Sequence, residues 1–323
     1  MKYVQLNDYS LGKSSLKLAE KDPALLKEGE VRLKVHASTI NPSDLMFLKG
    51  MYGIKKKLPV AAGFEGSGTV SESKASLSVG TRVAFVSANN DGAWTESAVV
   101  PESNCLPLLD SMDMDDASML FVNPLTSYSM VERGISFGAK AFVQTAAASA
   151  LGKMIQRLCR KKNIPLINII RRKEQEDELR SLGEEYVLNS SDPKFEREFF
   201  KLSKKLEAVY LFEAVGGKLA TSVFELMPYG SRLLSYGALS EEPMSINPGI
   251  CIFQNKSVEG YWLSSWMYNT KREDILKFSE EIQKLYPEIY KTKIARKFPI
   301  SEFQEGLDYY EKNMSAGKVL FVP

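Results

Sequence analysis

From residue 142 onward the chain alternates between apolar runs of strand length and stretches with a helical period. Residues 142–152, Phe-Val-Gln-Thr-Ala-Ala-Ala-Ser-Ala-Leu-Gly, begin as a strand and pass through a turn of small residues into a helix. Leu151, Met154, Ile155 and Leu158 recur at i, i+3, i+4 and i+7, which makes one apolar helix face. Arg160, Lys161 and Lys162 follow at the C-terminal end, where the helix dipole favours cations. Residues 165–170 form the next strand and complete a βαβ unit. Downstream, the pattern predicts a helix over 174–182 stopped at Gly183, a strand over 186–188, a helix over 195–206 and a strand over 208–214. A Gly216-Gly217 turn, a helix over 218–227 and strands over 231–236 and 257–263 complete the series. Strict alternation implies a parallel sheet covered on both faces, with ligand bound beyond the strand C-terminal ends. Those ends include Thr145, Arg171, Glu213, Tyr236 and Tyr261.

The N-terminal third is patterned differently. Val31, Leu33, Val35 and Ala37 alternate with Arg32, Lys34, His36 and Ser38, the period of a strand with one wet face. Short β-prone runs at 68–70, 81–86 and 94–100 are punctuated by Gly63, Gly66, Gly68, Gly80 and Gly92, so this part reads as a glycine-turned β domain. At the far end, 272–285 and 301–313 read as amphipathic helices and 318–322 as a strand. A terminal strand needs a sheet partner, and the parallel sheet already has its set; the tail is expected to return to the N-terminal domain. A length of 323 residues suggests two domains.

Composition adds boundaries. With 44% hydrophobic and 25% charged residues the chain is of ordinary globular type, and a net charge of +2 gives no reason to expect nucleic acid. Apolar runs of membrane-spanning length, low-complexity tracts and internal repeats are absent, and the first residues lack a signal or transit pattern, so a cytoplasmic protein is expected. Cys105, Cys159 and Cys251 are widely separated and show no C-x-x-C spacing, which indicates neither a disulfide framework nor a structural zinc site. The single histidine, His36, lies on the polar phase of its strand; it is a poor start for a catalytic zinc set or a nucleophilic triad.

The candidate chemistry starts at the small-residue turn. In a G-x-G-x-x-G turn the backbone approaches a dinucleotide pyrophosphate and a helix N-terminus supplies amide donors. Here those positions hold Ala147, Ser149 and Gly152, and a generic strand–helix corner is the alternative. Arg171, Arg172 and Lys173 follow the second strand at once. An acid at this point accepts a ribose hydroxyl, whereas cations accommodate a 2′-phosphate; the triplet therefore points to NADPH, a solvated helix start being the alternative.

Over essentially its whole length the chain resembles the medium-chain dehydrogenase/reductase superfamily. The motifs that carry the likeness are Ile40-Asn-Pro-Ser-Asp44, Gly50-Met-Tyr-Gly53, Gly63-Phe-Glu-Gly-Ser-Gly68 and Asn123-Pro-Leu-Thr-Ser-Tyr128, which are similar to those of the zinc-independent branch holding quinone oxidoreductases and trans-2-enoyl-thioester reductases. The run from Tyr236-Gly-Ala-Leu239 to Gly260-Tyr-Trp-Leu-Ser-Ser-Trp266 looks closest to the enoyl reductases. The resemblance implies an α/β fold, a Rossmann-type doubly wound parallel sheet plus a GroES-like β-rich catalytic domain. Its expected divisions are 1–122 for the catalytic domain, 123–263 for the dinucleotide-binding domain and 264–323 for a segment returning to the first.

Carried over residue by residue, the likeness makes Tyr52 the active-site tyrosine and Asn41 and Ser43 candidates to orient substrate or nicotinamide, with Asp44 equally suited to a structural acceptor role. Ala148, Ser149, Ala150 and Leu151, with Gly152, would hold the pyrophosphate, and Arg171, Arg172 and Lys173 the 2′-phosphate. Tyr236, Gly237, Ala238 and Leu239, with Tyr261, Trp262 and Leu263, would line the nicotinamide end; Asn123, Thr126 and Lys318 add further cofactor contacts. No metal site is implied. The implied reaction is conjugate reduction of an α,β-unsaturated thioester or enone, in which a tyrosine hydroxyl, protonated at neutral pH, quenches the enolate. Quinone oxidoreductases carry tyrosine in a similar setting, so quinone reduction stays open, as does a non-catalytic NADPH-binding role. Lys55, Lys56 and Lys57 either steer an acidic coenzyme A or carrier-linked substrate or form a solvated loop. A small-molecule substrate is the expected partner, without nucleic acid or membrane, and a homodimer is left open.

Overall fold

A computed structural model of the chain describes residues 1–87 and 91–323. The chain divides into two compact units, Thr126–Lys271 and a discontinuous one formed by Met1–Leu125 with Arg272–Pro323.

The unit Thr126–Lys271 is built on a six-stranded sheet in the order Val187–Asn189, Leu166–Ile170, Ala141–Gln144, Ala208–Glu213, Arg232–Ser235, Ser257–Gly260. Every neighbouring pair is parallel. Counted along the chain this is the order 3-2-1-4-5-6 of a doubly wound dinucleotide fold. Its strands are apolar on both faces because helices cover both: Val143, Ile167, Ile169 and Leu211 pack with Phe199, Val223 and Phe224. Met154, Ile155 and Leu158 of helix Ala150–Lys161 are buried, as their spacing predicts. The last strand is shorter than the expected 257–263. Its final ladder bond is the Tyr261 N–H to the Ser235 carbonyl at 2.7 Å, after which Trp262 caps helix Leu263–Tyr268.

In the other unit a seven-stranded sheet runs Ile294–Pro299, Lys318–Val322, Glu30–Thr39, Glu65–Ser73, Arg82–Val86, Cys105–Pro107, with Ser97–Pro101 also paired to Glu30–Thr39. A small antiparallel sheet joins Leu16–Glu20, Lys2–Leu6 and Val60–Ala61. The C-terminal strand pairs antiparallel with Glu30–Thr39, Leu320 opposite Thr39 and Phe321 opposite Ser38. Phe321 meets Trp94 edge-on at 5.1 Å, within a core that also holds Phe47, Phe64 and Leu307. Helix Phe303–Lys312 lies directly on this strand: a Cβ at Gly306 would come within 2.4 Å of the Phe321 ring, so only glycine allows the approach.

Among the described residues no helix is long and apolar enough to cross a membrane. Because Phe321 is nearly inaccessible and joins strand, helix and Trp94, Phe321→Ala should lower stability by about 3–5 kcal/mol, read by denaturant unfolding monitored through tryptophan fluorescence. A loss under about 1 kcal/mol would show that the tail is not integral to this core.

Candidate functional site

The first constellation lies at the C-terminal ends of the parallel strands. The strand Ala141–Gln144 ends in Thr145, whose hydroxyl donates to Glu213 Oε1 at 3.0 Å and accepts from the Ala214 N–H at 2.9 Å. The Glu213 carboxylate also accepts from the N–H groups of Val215 and Gly216, and burial lifts its pKa against those donors. Strands one and four of this unit are thus tied together where the strand order reverses, the place at which such sheets bind ligands.

The chain then turns through Ala146, which has a left-handed φ of 49°, and enters helix Ala150–Lys161. Ser149 caps this helix, its hydroxyl accepting from the Gly152 N–H at 3.0 Å. A Cβ at Gly152 would fall 2.6 Å from the Ala147 carbonyl oxygen, so helix and turn meet backbone to backbone. Of the three turn positions picked out by pattern, glycine is indispensable at the third.

Arg171 and Arg172 are exposed at the end of strand Leu166–Ile170, and neither guanidinium is paired with a carboxylate among the described residues. Lys173 is committed to Glu176 at 3.2 Å and Asp177 at 3.1 Å on its own helix. The triplet therefore divides into two available guanidiniums and one neutralised ammonium.

Residues 236–239 are strapped to the fourth strand by the Tyr236 N–H to the Glu213 carbonyl at 2.8 Å and the Leu239 N–H to the Ala214 carbonyl at 3.0 Å. The Tyr236 hydroxyl is buried without a hydrogen-bond partner among the described residues, and burial raises its pKa. Tyr261 is buried and shares a short hydrogen bond with Ser129; Trp262 and Leu239 are exposed, and Gly237, Ala238 and Leu263 are half-buried.

The second constellation belongs to the discontinuous unit. The short helix Pro42–Leu48 begins with Asn41 as its cap and Pro42 at its first position; Asp44 Oδ2 accepts from the Asn41 N–H at 2.8 Å. The Asn41 amide donates to Glu65 Oε1 at 2.6 Å and its oxygen accepts from Lys318 Nζ. Glu65 Oε2 accepts from the Val122 N–H at 2.8 Å. All four side chains are buried, Asp44 to 1% and Lys318 to 4% exposure, and Asp44 Oδ1 has no partner among the described residues. Burial pushes the Glu65 carboxyl up and the Lys318 ammonium down, each partly offset by the other's charge. Nearby, Tyr52 is half-buried with its ring 4.9 Å from Phe64, beside the cluster that includes Phe47. Ser43 is half-buried in the first turn of the short helix. The Tyr9 hydroxyl bridges the N–H and carbonyl of Lys56, and burial lowers the Lys56 ammonium to about 8.

Comparison with known proteins identifies the family of the chain. Residues 27–110 match the family "Alcohol dehydrogenase GroES-like domain" and residues 136–283 match "Zinc-binding dehydrogenase". A mitochondrial enoyl-[acyl-carrier-protein] reductase of Arabidopsis thaliana is 28% identical over 95% of this chain and 84% of its own length. One from Caenorhabditis elegans is 30% identical over 78% of this chain and 72% of its own. A solved structure from Mesorhizobium loti, provisionally named an NADPH:quinone reductase, superposes with a TM-score of 0.90 at 32% identity, covering 100% of this chain and 98% of that one. The chain belongs to the zinc-independent branch of the medium-chain dehydrogenase/reductase superfamily.

Within this family frame, Ala148 to Gly152 fall together on one turn, and Arg171 and Arg172 stand at the end of the adjoining strand. Lys318 and Asn41 are brought together, bonded to each other in the interior of their unit. Asn123 is half-buried and Thr126 buried in helix Val122–Ser136. Sequence reasoning missed Glu65, although an acid inside Gly63-Phe-Glu-Gly66 was there to be questioned. It also missed Gln144, Gln156 and Asn168, which interrupt runs of apolar residues. Outside both constellations, His36 is exposed with Nε2 3.2 Å from Asp115. Among the described residues no three His, Cys, Asp or Glu side chains are grouped to hold a metal ion.

Burial lifts the Asp44 carboxyl from 3.8 to about 7, so the folded chain holds a proton that the unfolded chain releases between those values. Stability should therefore fall as pH rises from about 4 to about 7. Asp44→Asn keeps an acceptor for the Asn41 N–H and should reduce that fall by on the order of 2 kcal/mol, measured by denaturant unfolding across the interval. An unchanged pH slope would mean that Asp44 is ionised in the folded state.

Proposed function

We propose that this chain is an NADPH-dependent reductase of the carbon–carbon double bond in α,β-unsaturated thioesters or enones. The observation that carries the reading is Tyr52, a hydroxyl-bearing ring braced on Phe64 in the Gly50-Met-Tyr-Gly53 loop of a chain whose curated relatives are named enoyl-[acyl-carrier-protein] reductases. The residues present fit the cofactor. Ser149 and Gly152 shape a turn open to close backbone approach, and Arg171 with Arg172 offers two unneutralised guanidiniums suited to a 2′-phosphate.

The chemistry the cofactor supplies when bound is hydride transfer to the β-carbon. On this reading the turn 148–152 binds the diphosphate through backbone N–H groups and the helix dipole. Arg171 and Arg172 select the phosphorylated ribose. Residues 236–239 and 261–263 border the nicotinamide, held by their bonds to the fourth strand and to Ser129. Tyr52 gives its proton to the substrate α-carbon as the enolate collapses, a contribution of typically 10²–10⁴-fold. Asn41, fixed by Glu65 and Lys318, has little freedom to follow a substrate; Ser43 is the better candidate to orient one. The M. loti structure supports a second reading, NADPH:quinone reduction, at comparable identity. The cytoplasmic location expected from the sequence belongs to the proposal, against relatives named mitochondrial, and imaging of a tagged chain tests it.

Two outcomes test the reading. NADPH should bind more tightly than NADH, and Arg171→Ala with Arg172→Ala should remove about 10- to 100-fold of NADPH affinity while leaving NADH nearly unchanged. Lys173→Ala should matter far less, since its ammonium is already neutralised. Equal affinity of the parent for the two cofactors in fluorescence titration would sink the NADPH assignment. Tyr52→Phe removes only a hydroxyl: kcat for a crotonyl thioester or enone should fall by roughly 10²-fold or more, with NADPH affinity and quinone turnover spared. Full enone turnover by Tyr52→Phe would remove the acid role and favour the quinone reading.

A further inference from the structure

Behind the turn 145–149 lies a buried amide network that the binding residues themselves do not explain. Gln156 Nε2 donates to the Ala147 carbonyl at 2.9 Å and to Asn168 Oδ1 at 3.1 Å. Gln144 Nε2 donates to the same Asn168 oxygen at 2.7 Å and to the Gly152 carbonyl at 3.1 Å. The Asn168 amide in turn reaches Glu184 at 3.0 Å. Gln144 and Asn168 are wholly inaccessible and Gln156 is 3% exposed. Both partners of the Gln156 Nε2 are oxygens, which fixes the orientation of its amide. The network is costly: Gln144 Oε1 is buried without a partner among the described residues, where apolar side chains would carry no such penalty.

What the network holds is one peptide plane. The Ala147 N–H is pinned to the Ile169 carbonyl at 3.3 Å, and the Ala147 carbonyl is drawn toward Gln156. The only cis peptide among the described residues is Leu58-Pro59, so the 147–148 peptide is trans and planar, and its N–H points opposite to its C=O. Holding the Ala147 carbonyl toward the helix flank therefore aims the Ala148 N–H the other way. That N–H has no partner among the described residues, although Ala148 is only 5% exposed. At so nearly inaccessible a residue an unpartnered backbone N–H is uncommon, and an acceptor for it is expected.

We propose that Gln156, oriented by Asn168, is a positioning residue that locks the 147–148 peptide so that the Ala148 N–H donates to a diphosphate oxygen of the dinucleotide. The inference rests on the NADPH reading above and assigns a role to a side chain that touches no cofactor atom. It also separates the two anion subsites: the amide network sets the diphosphate donor, whereas Arg171 and Arg172 set the 2′-phosphate contact.

Adenosine 2′-monophosphate, which carries the second phosphate and no diphosphate, distinguishes them. Gln156→Met keeps the volume and removes the donor. It should weaken NADPH binding by roughly tenfold and leave adenosine 2′-monophosphate binding within about twofold of the parent. Gln156→Glu, which sets an acceptor against the Ala147 carbonyl, should weaken NADPH at least as much. In the unsubstituted protein the Ala148 amide proton should shift downfield in NMR spectra on adding NADPH and stay in place on adding adenosine 2′-monophosphate. Equal weakening of both ligands would show that Gln156 merely supports the fold and would overturn the inference. So would an unaffected NADPH affinity, or an Ala148 resonance indifferent to NADPH even if neither variant folds. A parent protein that binds neither ligand would refute the cofactor reading and the inference together.

Discussion

The parallel half of this protein depends on a contact between two stretches of main chain. Helix Ala150–Lys161 comes so near the end of the first strand that a single carbon added at residue 152 would lie 2.6 Å from the Ala147 oxygen. Because no side chain intervenes, the helix N-terminus sits directly over the strand end, and Ser149 completes the cap without lengthening the turn. The Thr145–Glu213 bond holds the next strand at the same level, so two strand ends and one helix start converge at the reversal of strand order. On the proposed reading, anion recognition there would be largely a property of backbone dipoles, which tolerates alanine and serine where glycine is more usual, provided that the one close approach is kept.

A different constraint governs the discontinuous unit. Two carboxyl groups, an amide and an ammonium are buried together, and removing ionised groups from water costs several kcal/mol per ion unless they are paired and hydrogen-bonded. The cluster meets that demand only in part, since one Asp44 oxygen is left without a donor. The side chains that satisfy one another come from three distant stretches: the short helix after the long strand, the glycine-rich strand, and the C-terminal strand. An alternative packing that separated these groups would strand an ionised group in the core at a cost of several kcal/mol.

Much of the architecture was legible in the sequence and the unread parts share a cause. The βαβ series could be followed because its strands are mostly apolar and its helices carry a clear stripe, as in Met154, Ile155 and Leu158. Helix Val122–Ser136 was not recognised: its buried positions include Thr126, Ser127 and Ser129, so burial and hydrophobicity part company there. Strands Lys2–Leu6 and Ile294–Pro299 bury too few side chains to show a period, Val4 and Leu6 in the first and Phe298 in the second. The Arg171 to Lys173 triplet was visible as charge, but which of its members is neutralised depends on Glu176 and Asp177 one helical turn away. Gln144 and Asn168 stood as polar letters inside apolar strands and were passed over, because their meaning lies in a shared oxygen atom that only three dimensions supply.

The pairing of Lys318–Val322 with Glu30–Thr39 has a consequence for the order in which the molecule is made. Synthesis on the ribosome runs from the N-terminus, so Asp44 and Glu65 emerge long before Lys318, and the sheet that contains Glu65 lacks Ile294–Pro299 and Lys318–Val322 until those strands are added. Thr126–Lys271, by contrast, is continuous and has all of its strands in hand while the tail is still being translated. The nascent chain thus carries an unfinished first unit past a second one that can already fold, and any truncation near the C-terminus leaves its damage at the opposite end of the sequence.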